Sequence, residues 1–137
     1  MSPETYTEKV SVNINTSTLS SIDLLVDNGY YSNRSDFINQ ALRSELQHQQ
    51  RTIDHIIRRE EKAAEDEYGW FIGIFGITAK MVEEDYRKGD CMDMTGYGLL
   101  IIHEDCDEEK LFQVVKSINV RGRVKASATV KAHYGLK

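Results

Sequence analysis

The sequence predicts an α+β protein in two parts. A short strand with two helices, completed by a second copy of the chain, comes first; a helical spacer then leads to a small sheet with helices on one face. Three observations carry this reading. Val10 to Asn15 alternate apolar and polar side chains, and two helical patterns hinged at Asn28-Gly29 follow them. Gln47 to Glu67 contain no glycine or proline and are rich in helix-favouring residues. At Tyr68-Gly69 the composition shifts to GWFIGIFGI, a near-continuous apolar run of the kind expected for a strand buried on both faces.

The totals narrow the function classes. At 137 residues and 40% hydrophobic content, the chain suits one folded domain or two small ones. No apolar run approaches the roughly 18 residues needed to cross a bilayer, so no membrane partner is expected. The opening MSPETYTEKV lacks the charged and apolar regions of a secretory signal. Two cysteines, Cys91 and Cys106, make no disulfide framework, and the expected compartment is a reducing cytoplasm. No glycine-rich phosphate loop, nucleophile motif or acid–base pair points to an enzyme.

Val10, Val12 and Ile14 fall on one side of the first strand, and Lys9, Ser11, Asn13 and Asn15 on the other. Such a strand cannot stand alone, because its backbone groups need partners. No matching strand lies nearby in sequence. Two copies of the chain would supply each other with one, forming an antiparallel ribbon whose polar face fits the major groove of double-stranded DNA. Viewed in isolation, Lys9, Ser11 and Asn13 read better as merely the wet face of an edge strand; the two helices behind them turn the reading to base contact.

The first helix is expected to start at Thr16-Ser17-Thr18, with Leu19, Ile22, Leu25 and Val26 at helical spacing and Gly29 as its left-handed stop. The second opens at Ser32 or Asn33, where Asn33 and Asp36 form a capping arrangement. Phe37, Ile38, Ala41, Leu42 and Leu46 are its expected buried stripe. Charge speaks against nucleic acid: the chain carries 17 basic and 22 acidic side chains, and residues 1–50 carry three basic against six acidic. Distribution counts for more than the sum, since Lys9 and Arg34 lie where the ribbon and second helix would face DNA.

These residues resemble the ribbon-helix-helix family of DNA-binding regulators, of the CopG, Arc and MetJ type. The likeness rests on the alternating strand, the helix ending at Gly29-Tyr30, and Asn33-Arg34-Ser35-Asp36 followed by Ile38, Leu42 and Leu46. It implies that Lys9, Ser11 and Asn13 read bases and that Asn33, Arg34 and Ser35 grip a phosphate at the start of the second helix. The physics of a helix N-terminus agrees. The fold implied for residues 1–47 is an intertwined dimer.

Residues 48–67 form the expected spacer, either continuing the second helix or making a third after a break near His48-Gln49-Gln50. Residues 68–137 are expected to fold in the order β-α-(β)-β-α-β. Their strands are Gly69–Ile77, a stub at Cys91–Met94, Tyr97–His103 and the alternating Arg123–His133. Helices at Ala79–Lys88 and Asp107–Ile118 complete a ferredoxin-like or ACT-like domain. Half-covered sheets of this type usually bury the open face against another subunit.

The two-part layout is similar to the nickel-responsive repressors of the NikR type, including Phe112 and Arg121-Gly122. That likeness implies a homotetramer assembled through the second domain. It does not imply nickel here, because no His-x-His pair occurs in the chain: placing Cys106 on the family's ligand cysteine puts Gly98 and Leu100 where the paired histidines belong, and matching the final helix instead shrinks the ligand strand into Cys91–Met94. Cys91, His103, Cys106 and His133 offer atoms suited to zinc, at spacings that match no zinc motif. No cofactor is therefore expected, and the sequence identifies no effector. The expected function is a sequence-specific transcription regulator, a repressor, on a DNA operator. The alternative is the antitoxin of a toxin–antitoxin pair, against which the well-patterned second sheet argues.

Overall fold

The computed structural model describes residues 6–64 and 69–137. Two compact units divide between Thr52 and Ile53.

In the first unit, Tyr6 to Asn15 carry neither helix nor strand in the single chain, and all ten are exposed. Helix α1 spans Thr16–Asp27 and α2 spans Arg34–His48. The cap of α1 is Asn15, one residue before the expected hydroxyl cluster: its side chain accepts from the Ser17 amide at 2.8 Å. The helix ends as predicted. Gly29 takes φ of +81°, its amide donates to the Val26 carbonyl, and the Tyr30 amide donates to that of Leu25. This pair of bonds is the Schellman arrangement, which only a residue comfortable at positive φ can close.

Tyr31 then packs edge-on against Phe37 at 4.9 Å between ring centroids, fixing the entry to α2. The expected buried stripe of α2 is not buried in one chain. Phe37 and Ile38 are half-covered, but Leu42 and Leu46 are each 56% exposed. Among the described residues of this unit only Ile22 is buried, so two short helices and ten residues without regular structure enclose too little volume to cover their own apolar faces.

Of the two alternatives for the spacer, the break is the one formed: α2 stops at a cap on Gln49 and α3 runs Gln50–Ala64. The expected boundary at residues 67–68 lies outside the described residues.

In the second unit the described elements are β1 (Gly69–Ile77), α4 (Ala79–Lys88), β2 (Met92–Ile102), α5 (Glu108–Val114), β3 (Val115–Lys125) and α6 (Ala128–Tyr134). Thr78, Asp107 and Ser127 cap the three helices with their side chains. The strands lie in the order β1-β2-β3 and both pairings are parallel, each spanned by a helical crossover. This corrects the expected four-strand ferredoxin-like order. The stub at Cys91–Met94 and the strand after it are one continuous β2, which leaves no separate strand to insert between them.

Two further boundaries move. The helix expected to reach Ile118 stops at Val114, because Val115 already pairs with Met92 and the period-two pattern Ile118, Val120, Val124 takes over. The alternation expected from Arg123 to His133 splits into the end of β3 and α6. Its even positions are mostly alanine, which favours helix, and Ser127 supplies the cap.

Phe71, Ile77, Met94, Leu100 and Ile102 from the sheet meet Val82, Leu111, Val114 and Val130 from the helices in one core. Leu100 and Leu111 are fully buried. The helices thus cover one face. On the other, Ile72, Ile74 and Tyr97 are exposed, beside Arg121 and Arg123 of β3.

Candidate nucleic-acid interface

The arm brings together the groups that sequence reasoning assigned to DNA in two places. Lys9, Ser11 and Asn13 project from the exposed segment before α1, interleaved with Val10 and Val12, which are 75% and 73% exposed. In one chain nothing covers these apolar side chains.

The second place is the start of α2. Asn33 Oδ1 accepts from the Asp36 amide at 2.8 Å, and Asp36 Oδ2 accepts from the Ser32 amide at 2.9 Å. The expected Asn33 cap on Asp36 is therefore present, while the Asp36 side chain reaches back one residue further, to the Ser32 amide. The amides of Arg34 and Ser35 belong to the first helical turn, where the helix itself offers no acceptor. The Asp36 carboxyl is held below the ordinary aspartate value by the Ser32 amide and then by Gln40, whose Nε2 donates at 2.9 Å.

Arg34 is not idle. Its Nε and Nη2 donate to Asp23 Oδ1 and Oδ2, both at 2.8 Å, in a fork-on-fork pair joining α1 to α2. The hydrogen bonds from Arg34 hold the Asp23 carboxyl below its ordinary value, and Asp23 raises the guanidinium in turn. Sequence reasoning missed this pair. A separation of eleven positions follows no helical rule; it becomes a contact only once the Gly29 turn folds α2 back past α1.

The four residues with metal-binding atoms do not converge. Cys91 is exposed ahead of β2, and His103 follows the end of that strand. Cys106 is buried with its Sγ 3.6 Å from the Ile77 carbonyl oxygen, and burial, then Asp105, pushes its thiol pKa up. His133 stacks on Phe112 at 3.7 Å between centroids. Among the described residues no group of three His, Cys, Asp or Glu side chains is placed to hold a metal ion. A cleft of about 870 Å³ on the open sheet face is lined by Trp70, Thr95, Tyr97, Asn119 and Arg121, among others.

A family model described as the ribbon-helix-helix transcriptional regulator family matches residues 5–131. The match takes in the arm, the helices behind it and nearly all of the second unit. The chain belongs to this family. No curated protein and no solved structure matches it. As a member of the ribbon-helix-helix transcriptional regulator family it is a DNA-binding protein of transcription control. Proteins of this family dimerise. No helix among the described residues is long and apolar enough to cross a membrane.

Proposed function

We propose that this chain is a sequence-specific repressor that binds its operator as a homodimer or higher assembly. Residues 1–47 form the DNA-binding arm, 48–67 the spacer and 68–137 the assembly and effector-sensing domain. Two copies pair residues 10–15 into a ribbon. Lys9, Ser11 and Asn13 then meet base edges in the major groove, where Lys can donate to guanine, Asn can pair with adenine and Ser adapts to either. Asn33, Arg34 and Ser35 seat a backbone phosphate at the start of α2.

The observation that carries this reading is the uncovered apolar set of the arm, Val10, Val12, Ile14, Leu42 and Leu46, alternating along the ribbon segment and repeating along α2. It has the makings of half a core. The open face of the second sheet, with Ile72, Ile74 and Tyr97, supports a second contact that makes a homotetramer, since parallel sheets are ordinarily covered on both sides. The assembly works in the cytoplasm, without nickel.

The test is selection of bound sequences from random duplex DNA by the full chain, repeated with K9A/S11A/N13A. The wild type should enrich a two-half-site motif and the triple variant should lose it while still dimerising. An unchanged motif in the variant would remove the ribbon as the reader.

A further inference from the structure

The pair between Arg34 and Asp23 bears on how tightly this arm grips DNA, an inference that rests on α2's first turn being the phosphate seat. Residues 1–50 hold only three cations, Lys9, Arg34 and Arg43. One of them is occupied in the free chain: Nε and Nη2 of the Arg34 fork both point at Asp23, at 2.8 Å each. The side chains remain 57% and 40% exposed, so water screens the pair and it is weak enough to exchange. A second carboxylate, Asp36, stands in the same first turn.

A phosphate arriving at α2 therefore meets a guanidinium already neutralised. To use it, the phosphate must displace Asp23 and then lie beside the anion it displaced.

We propose that Asp23 sets the DNA affinity of the arm by competing with backbone phosphate for Arg34. Specific binding exchanges one fork-held acceptor for another, so Arg34 adds little net charge to the complex and discrimination falls to the ribbon. Asp23 is a positioning residue that acts through Arg34.

The measurement is the affinity of the full chain for random-sequence duplex DNA across a range of salt concentrations. Four proteins are compared: wild type, Asp23→Asn, Arg34→Gln and the double variant, with Asp27→Asn on the exposed end of α1 as a control for general charge. Freeing Arg34 should tighten binding by roughly two- to five-fold per protomer, the worth of an exposed pair. The logarithmic salt slope should steepen by about 0.9 per protomer, one further phosphate neutralised.

In the Arg34→Gln background, Asp23→Asn should change neither quantity. An equal gain in that background, or an equal gain from Asp27→Asn, overturns the proposal in favour of bulk charge. An unchanged slope, or weaker binding by a folded Asp23→Asn protein, overturns it in favour of a brace between helices. If Asp23→Asn does not fold, Asp23→Ser is read in the same way, and failure of both to fold also makes the pair a brace. A wild type that binds no DNA at all would instead sink the functional reading beneath it.

Discussion

At the scale of single residues, the arm is held by short polar side chains that complete backbone hydrogen bonds. Asn33 satisfies an amide that α2 cannot satisfy itself. Replacing it with alanine should cost about 1 kcal/mol, the usual worth of such a cap, seen as a lowered midpoint in thermal unfolding. Asp36 works in reverse, accepting from Ser32 and Gln40, and so prefers to be charged in the folded state. A carboxyl with a depressed folded pKa stabilises above the unfolded value, near 3.9, and that contribution drains away as pH falls through the folded value. Acid titration of the arm should therefore show a loss of helix below about pH 4, and Asp36→Asn should flatten that part of the profile. Tyr134 titrates with the opposite sign. Burial pushes its phenol up to about 12, so its contribution is whole below about pH 10 and is lost as pH climbs towards the higher value. Its hydroxyl donates to the Val115 carbonyl at 2.6 Å. Tyr134→Phe should cost about 0.5–1.5 kcal/mol in denaturant titration.

At the scale of elements, the three strands line up one glycine each: Gly73 pairs with Gly98, and Gly98 with Gly122. All three have positive φ, at 99°, 122° and 143°. Their surroundings differ. A Cβ on Gly98 would stand 2.0 Å from the Gly73 carbonyl oxygen, and one on Gly122 equally close to that of Gly98, whereas one on Gly73 would meet nothing within 4 Å. Backbone strain alone should make Gly73→Ala cost about 1–3 kcal/mol. Gly98→Ala and Gly122→Ala must also displace a neighbouring strand, and should cost more than Gly73→Ala in the same unfolding assay. Equal costs at all three positions would mean that the strands do not approach so closely. The row depends on register, and two of its members lie on strands whose ends differ from those the pattern predicts. The helices are more legible than the sheet. Gly29, Asn33, Gly89 and the apolar spacing of α1 and α4 mark local events, and local events are written in adjacent residues.

At the scale of the whole molecule, one chain leaves its arm unfinished. Val10, Val12, Leu42 and Leu46 face solvent in one chain, and in the proposed dimer a second copy covers them. Val12→Asp combined with Leu42→Glu should reduce the mass in sedimentation by at least one step of assembly. In the wild type, the melting temperature of the arm should rise with protein concentration; in the variant it should not. The expectation that α2 buries its stripe does not hold in one chain, where Leu42 and Leu46 are exposed.

By itself the sequence determined the arm: an alternating segment, two capped helices, a glycine turn between them, and the residue types at the proposed DNA contacts. It also determined that apolar strands follow the spacer, but its expectation of burial on both faces fails in one chain, where Ile72 and Ile74 of β1 are exposed. Only the folded structure decided that those strands are parallel and ordered one after another. It alone decided that Arg123 to His133 divide into strand and helix, and that Arg34 is bound to Asp23. For the strand order and the ion pair the reason is the same. Strand order, register and ion pairing between helices join residues far apart in the chain, and such contacts leave no periodic trace for a local pattern to report.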